Sequence, residues 1–138
     1  MVDKALILRK LSEIDQYIKQ LEEFANISLE KYSNDWKTQR IVERTLQILI
    51  ETCTDIANHI ISDKEYRVPK SYAETFEVLY ENNIISKELF NIMSKMARFR
   101  NIVVHHYDTI DAAIVISILR KNLKDFTIFQ DAIIKILK

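Results

Sequence analysis

The sequence predicts an all-α protein: an antiparallel bundle of four main helices with one additional short helix. Apolar residues recur at steps of three and four along most of the chain, which places them on one side of a helix. The alternation of apolar and polar residues that is typical of strands is missing. The 138 residues contain no glycine and one proline, and no repeat or linker interrupts the pattern. We therefore expect a single domain over residues 1–138.

The first two main helices are predicted from their apolar stripes. Asp3 is a candidate N-cap for the first helix, whose stripe consists of Leu6, Ile7, Leu11, Ile14, Tyr17, Ile18 and Leu21. The second helix is expected from about Asp35 to Ser62, with Trp36, Ile41, Leu46, Leu49, Ile50, Cys53, Ile56, Ala57 and Ile60 on its stripe.

Capping signals delimit the remaining helices. The charged stretch DKEYRVPK (63–70) predicts a loop, and Ser71 with Glu74 forms a capping box that opens the short helix. Asn82 and Asn83 end that helix. Ser86 then caps the third main helix, which continues into the stretch RNIVVHHY (100–107).

The last main helix is expected to begin at Asp108–Thr109, a candidate N-cap, with Asp111 in its first turn. Its apolar residues continue to Leu137. Apolar residues make up 48% of the chain, and several helices carry them beyond a single stripe. A face buried against a second subunit would explain this excess, so we expect a homodimer.

The composition excludes several classes of enzyme. Phosphate-binding loops, dinucleotide-binding fingerprints and nucleophile elbows all require glycine, which is absent. Twenty basic residues balance twenty acidic ones, so nucleic acid could be bound only by a local basic patch. The single cysteine, Cys53, is expected to be a small buried apolar residue in a reducing compartment.

The expected location is the cytoplasm. No apolar run reaches the roughly 18 residues of a membrane span, and MVDKALILRKL at the N-terminus lacks a signal-peptide pattern. A metal site is not expected, because neither His59 nor His105 has a carboxylate three residues before it, and no His-Glu-x-x-His motif occurs. No cofactor is predicted.

RNIVVHHY (100–107) is the polar cluster that packing does not explain. On a straight helix Tyr107 would share the face of Arg100, whereas His105 would lie about 140° away from Arg100. A helix end near His105, or a twofold axis between subunits, would be needed to bring Arg100 and His105 together. His106 falls on another face and is the weaker candidate of the two histidines.

Arginine and histidine together suit metal-independent cleavage of RNA. The imidazole of His105 could assist attack by the 2′-hydroxyl or protonate the leaving oxygen, and the guanidinium of Arg100 could stabilise charge on the phosphorane. Asn101, four residues before His105, could orient the imidazole by a hydrogen bond. Lys95 and Arg98 make the preceding turn basic, although alone they indicate only a solvated helix face.

The pattern Arg100-x4-His105-x-Tyr107 resembles the R-x4-H-x-Y signature of the HEPN superfamily of all-helical ribonucleases. More narrowly, it resembles the HepT toxins of HepT/MntA toxin–antitoxin modules. The segments 42–61, 68–86 and 97–111 resemble HepT segments in the same order. The resemblance covers most of the chain from about Ile41.

The resemblance implies a HEPN-like homodimer with a composite cleft between the subunits. Arg100 and His105 would be the catalytic residues for RNA cleavage, and Asn101 would support them. Tyr107 corresponds to the tyrosine to which an MntA-like nucleotidyltransferase antitoxin transfers AMP, which silences the toxin. His106 departs from the family, since many relatives carry an acidic residue there.

Two other functions stay open from the sequence. The chain could be a non-catalytic helical subunit that binds a nucleotidyltransferase or RNA, with the motif as docking surface and modification target. It could also be a helical scaffold with a polar helix end.

Overall fold

The computed structural model describes residues 3–138, so Met1 and Val2 of the expected domain lie outside the described residues. Seven α-helices follow one another, together with a 3₁₀ turn at Tyr107–Thr109 and a π-helical turn at Ile118–Asn122. The α-helices are α1 (Lys4–Glu22), α2 (Leu29–Ser33), α3 (Trp36–Asp63), α4 (Tyr72–Glu81), α5 (Lys87–His105), α6 (Ala112–Ser117) and α7 (Leu123–Leu137). Residues 3–138 contain no strand. The predicted all-α class is confirmed.

Polar side chains cap four helices: Asp3, Ser71 and Ser86 as the sequence predicts, and Asp35 at the expected start of the second main helix. Asp3, Asp35, Ser71 and Ser86 each accept a hydrogen bond of 3.1 Å from a backbone N–H in the first turn of α1, α3, α4 and α5, respectively. Such bonds satisfy donors that have no partner within the helix and typically stabilise it by about 1 kcal/mol.

The short helix α2 is an addition to the predicted architecture. Ser28 caps it through a 3.1 Å hydrogen bond from the backbone N–H of Lys31, and Tyr32 is its one buried residue. A helix of five residues is too short for apolar periodicity to show, because it buries a single side chain.

The predicted start of the last helix was wrong. Thr109 donates its hydroxyl to the carbonyl of His106 at 2.8 Å within the 3₁₀ turn, and Asp111 is the residue that caps α6. The Asp111 carboxylate accepts from the N–H of Ala113 at 2.9 Å. The last main helix comprises α6, the π-helical turn and α7 rather than one regular helix. Asp108 and Asp111 are both possible N-caps in the sequence. Because Asp108 lies within the 3₁₀ turn, the helix begins only after Asp111.

Two helices end without glycine. Glu65 after α3 and Asn83 after α4 adopt left-handed backbone conformations, with φ of 55° and 60°. The N–H of Tyr66 then reaches the carbonyl of Ile61 at 3.0 Å, and the N–H of Ile84 reaches that of Leu79 at 2.9 Å. This closure of a helix normally uses glycine, and asparagine is the usual substitute. Glu65 adopts it at a steric cost that glycine would avoid.

The core lies around α3, which contacts α1, α2, α4 and α5. Cys53 is fully buried on α3, as predicted, and this burial raises the pKa of its thiol. Phe76 of α4 and Phe129 of α7 meet edge to face with ring centroids 5.9 Å apart. Gln130 of α7 donates to the carbonyl of Leu11 at 3.0 Å and to the carboxylate of Asp15 at 2.8 Å. These contacts connect α7 to α4 and to α1.

Helix α5 presents the polar motif at its C-terminal end. Its inner side buries Leu89, Met93, Met96 and Ala97 against the bundle. The stacked rings of Tyr80 and Phe90, 5.4 Å apart, join α4 to α5. Within residues 3–138, no helix is both long and apolar enough to cross a bilayer.

Candidate active site

The motif spans the end of a helix and the turn that follows it. His105 is the last residue of α5, and the N–H of His106 still reaches the carbonyl of Ile102 at 2.8 Å. His106 then leaves helical geometry with φ of −138° and ψ of 44°. The predicted helix end near His105 is therefore present.

Tyr107 lies outside the helix that carries Arg100. It begins the 3₁₀ turn, and 71% of its surface is exposed. The expectation that Arg100 and Tyr107 share a helical face was wrong, because that expectation required α5 to continue beyond His105. The turn instead presents the Tyr107 phenol to solvent.

Arg100 is held by a carboxylate from the neighbouring helix. Its Nε and Nη2 atoms lie 2.8 Å and 2.7 Å from Oε2 of Glu51 on α3. The same oxygen accepts a 3.1 Å hydrogen bond from Nε2 of Gln47, one turn earlier on α3. Exposed fractions of 16% for the Arg100 side chain and 29% for that of Glu51 place this ion pair partly inside the protein.

The plane of the guanidinium is fixed as well. The Cζ atom of Arg100 lies 4.4 Å from the centre of the Tyr72 ring, a cation–π contact with the first turn of α4. Nη1 donates to the side-chain oxygen of Asn101 at 3.2 Å. Each Nη atom carries two N–H groups, and these contacts use one on each. One donor on each Nη atom is left over, the arrangement that matches two oxygens of a phosphate.

Asn101 contacts Arg100, whereas the sequence suggested a contact with His105. Its side-chain oxygen accepts from the guanidinium, so it helps to fix the arginine. Asn101 and His105 are exposed and lie one turn apart on the same face of α5.

The structure does not bring Arg100 and His105 together within the protomer. The polar contacts of Arg100 run to Glu51 and Asn101, on the side of α5 that faces α3. His105 is exposed at the helix end, about 140° around the helix axis. Tyr107 and His106 are also exposed in the turn beyond it. The protomer therefore holds the Arg100 guanidinium and the His105 imidazole on separate sides of α5.

Glu51, Gln47 and Tyr72 were missed by the sequence interpretation. Glu51 shares α3 with other acidic residues, among them Glu43 and Asp55, and periodicity cannot tell which of these faces Arg100. A signal did exist, since a partly buried arginine requires a carboxylate partner. The partner becomes known only when the packing of α3 against α5 is known.

A family model described as ribonuclease HepT-like matches residues 14–133. The chain belongs to the HepT-like ribonuclease family. The resemblance on which the sequence interpretation rested is thereby confirmed.

Two relatives resemble the chain over nearly its whole length. The mRNA nuclease HepT of Shewanella oneidensis is 33% identical over 128 residues, which are 93% of this chain and 96% of that protein. The tRNA nuclease HepT of Aphanizomenon flos-aquae is 32% identical over 130 residues, which are 93% and 87% of the two chains.

A solved structure of similar sequence has the same fold. It is a tri-AMPylated Shewanella oneidensis HEPN toxin in complex with MNT antitoxin, and its TM-score with this chain is 0.88. The two share 32% sequence identity, and the match covers 98% of this chain and 99% of that one. The arrangement of helices around the motif is therefore that of a HEPN toxin.

The ion pair between Arg100 and Glu51 should contribute measurably to stability. In a double-mutant cycle of Arg100→Ala and Glu51→Ala, urea unfolding is expected to give a coupling free energy of about 1–2 kcal/mol, because the pair is partly buried and charge-assisted. The pair of Lys10 and Asp55 is the matched control. Its atoms lie 3.6 Å apart with side chains 21% and 59% exposed, and its coupling should stay below about 0.5 kcal/mol. Equal coupling in the two pairs would contradict the arrangement.

Proposed function

We propose that this protein is the toxin of a toxin–antitoxin module and a metal-independent endoribonuclease, with Arg100 and His105 as its catalytic residues. One observation carries the proposal. Arg100 is fixed by Glu51 and Tyr72 with a donor left over on each Nη atom, and the exposed His105 ends the same helix. Membership in the HepT-like ribonuclease family supports the reaction class.

The chemistry follows from the two side chains. The 2′-hydroxyl of a ribose attacks the neighbouring phosphorus, and the bond to the 5′-oxygen of the next nucleotide breaks. The attacking hydroxyl gives up its proton, the leaving 5′-oxygen takes one, and the products are a 2′,3′-cyclic phosphate and a 5′-hydroxyl. His105 would supply or accept a proton in this reaction. From the end of α5 the exposed imidazole could donate a proton to the leaving oxygen.

Arg100 would stabilise the charge that develops on the phosphorane oxygens. Because Glu51, Asn101 and Tyr72 hold the guanidinium before substrate arrives, little reorganisation is needed when that charge appears. Asn101 supports this role by accepting from Nη1.

We propose that the active form is a homodimer. Arg100 and His105 point to different sides of α5, so a complete site needs a second subunit that brings its His105 towards Arg100. Exposed apolar side chains close to the motif support such a contact. Ile102 on α5 is 36% exposed and Ile114 on α6 is 48% exposed.

Tyr107 is the proposed acceptor of AMP. Its exposure on a turn next to His105 would give a nucleotidyltransferase access to the phenol. The phenolic oxygen would form a bond to the α-phosphorus of ATP while pyrophosphate leaves and the phenol proton passes to a base. The added phosphate and nucleoside would then repel and obstruct RNA beside the site. The similar Shewanella oneidensis toxin is described as tri-AMPylated and bound to an MNT antitoxin.

The proposed toxin is a single-domain protein of the cytoplasm. The chain would act as one HepT-like domain over residues 1–138, in the cytoplasm. The single, buried Cys53 fits a reducing compartment. Among residues 3–138, no group of three or more His, Cys, Asp and Glu side chains could hold a metal ion together. Cleavage in the presence of a chelator is therefore a direct test.

A non-catalytic role in binding a nucleotidyltransferase is the second candidate. It is favoured by the contacts of Arg100, whose charge is already neutralised by Glu51 within the protomer. An arginine in this position could serve the fold alone. In that case the motif would be a docking surface and a modification target.

The first prediction from this proposal concerns His105. Purified protein should cleave RNA in EDTA, and His105→Ala should reduce the rate about 100-fold or more, because general acid–base catalysis is lost. His106→Ala is the matched control, since it removes the neighbouring exposed imidazole and should retain activity. Cleavage products should end in a cyclic phosphate. Equal cleavage by wild type and His105→Ala would contradict the catalytic role and favour the second candidate.

The second prediction concerns Tyr107. After incubation with an MntA-like antitoxin and ATP, intact-mass measurement should show added AMP on the wild type and none on Tyr107→Phe, which lacks the nucleophilic oxygen. Tyr80→Phe is the control, because Tyr80 is 36% exposed and phenylalanine preserves its stacking on Phe90. Tyr80→Phe should accept AMP as the wild type does. Undiminished modification of Tyr107→Phe would refute the assignment.

A further inference from the structure

A polar groove lies between α4 and α5, along the part of α5 that precedes the proposed catalytic residues. Its volume is 480 Å³, within the range of about 300–1,000 Å³ that is usual for ligand sites. Helix α5 contributes Asn91, Ser94, Lys95 and Arg98, and Ser71 at the start of α4 lies opposite. Ser71 immediately precedes Tyr72, whose ring packs on Arg100. The groove therefore adjoins the start of α4, and neither Tyr72 nor Arg100 lines it.

The acidic side chains on one wall of the groove share an arginine, whereas the basic side chains on the other wall have no such partner within the described residues. Glu74 and Glu77 of α4 line the groove, but Arg67 binds both of them. Arg67 contacts Glu74 through Nη1 and lies 3.0 Å from Glu77 through Nη2. Its Nε atom also lies 2.8 Å from Glu81, so its single charge offsets these carboxylates only in part. Lys95 and Arg98 are exposed on the opposite wall, and neither has an ion-pair partner among residues 3–138. Two cations are thus available for an anion.

Ser94 provides an independent indication of a ligand. The residue is 94% buried, since its exposed fraction is 6%, and its Oγ atom has no hydrogen-bond partner within the described part of the chain. A buried hydroxyl without a partner costs about 1–3 kcal/mol, and such groups are rare in folded proteins. Ser94 lines the groove between Asn91 and Arg98. Because its Oγ atom is buried, a rotation of the side chain would bring the hydroxyl to an incoming phosphate oxygen, which could accept its proton.

The groove and His105 lie on the same face of α5. Ser94, Arg98 and His105 are four and seven residues apart, which places them within about 40° of one another around the helix axis. Along the axis, Arg98 lies about 10 Å from His105. A single strand whose scissile bond is at His105 would therefore pass over Arg98 towards Ser94.

We infer that this groove binds a phosphate group of the RNA strand outside the cleaved bond, with Lys95, Arg98 and the Ser94 hydroxyl as its ligands. The inference rests on the proposed ribonuclease function. It adds a binding subsite that is distinct from Arg100 and His105. Longer RNA would reach this subsite and would therefore bind more tightly than a dinucleotide.

The test measures binding of a single-stranded 2′-O-methyl RNA oligonucleotide, which cannot be cleaved because its 2′-oxygens are blocked. The double variant Lys95→Gln/Arg98→Gln should bind at least tenfold more weakly than the wild type. The slope of log affinity against log salt should become shallower by about 1.4, since each lost phosphate contact contributes about 0.7 for a single strand. Lys87→Gln/Lys124→Gln is the matched control, because it removes the same charge at exposed positions outside the groove. The control should keep wild-type affinity within about twofold.

The variant Ser94→Ala tests whether the Ser94 hydroxyl binds phosphate or only packs within the protein. Removal of a hydroxyl without a partner should leave the melting temperature unchanged or raise it. If the hydroxyl binds phosphate, the affinity for the 2′-O-methyl RNA should nevertheless fall about three- to tenfold. Unchanged affinity in Ser94→Ala together with equal affinities for the two double variants would overturn the inference. So would a weakened association of Lys95→Gln/Arg98→Gln with an MntA-like antitoxin while RNA affinity stays at the wild-type value.

A cleavage assay shows whether a negative result contradicts the subsite or the proposed ribonuclease function. A dinucleotide substrate is too short to reach the groove, so Lys95→Gln/Arg98→Gln should cleave it at the wild-type rate. For longer RNA, the KM of the same variant should rise. If the wild type cleaves both substrates and the double variant loses nothing on the longer one, the subsite is refuted and the ribonuclease stands. If the wild type cleaves neither, the ribonuclease proposal fails, and the binding measurement still decides the subsite.

Discussion

The ion pair between Arg100 on α5 and Glu51 on α3 is the interaction on which the geometry of the motif depends. It holds the guanidinium on the side of α5 that faces the bundle, and the ring of Tyr72 fixes its plane. His105 consequently faces away from Arg100. The same contact that would pre-organise the proposed anion-binding group therefore leaves the two proposed catalytic side chains apart within each protomer.

The end of α5 has an equally direct effect on the other two groups of the motif. Because the helix stops at His105, the imidazole lies at the helix C-terminus and Tyr107 is carried into an exposed turn. A continued helix would have turned Tyr107 towards the side of Arg100. The turn instead makes the phenol accessible next to the proposed proton donor, so that modification of one would obstruct the other.

Local signals predicted the main helices because these signals act within a few residues. Asp3, Ser71 and Ser86 cap the helices as expected, since each needs only the N–H groups of the following turn. The same logic failed where two local signals compete, as with Asp108 and Asp111, and where a helix is too short to show a period, as with α2. The motif itself was found from the sequence. Glu51 and Tyr72 were not, because they reach Arg100 through packing between distant segments. The groove along α5 likewise depends on packing between α4 and α5, so the sequence shows only that Lys95 and Arg98 make a basic turn.

The central claim is that Arg100 and His105 act together across a dimer, and subunit mixing tests it most directly. Arg100→Ala and His105→Ala proteins, each inactive alone, would be co-refolded in equal amounts and assayed for RNA cleavage. If the site combines Arg100 of one subunit with His105 of the other, half of the dimers contain one intact site, and about one quarter of wild-type activity should return. If both residues act within one protomer, every site in the mixture carries a substitution. No recovery of activity in a mixture shown to contain heterodimers would contradict the account.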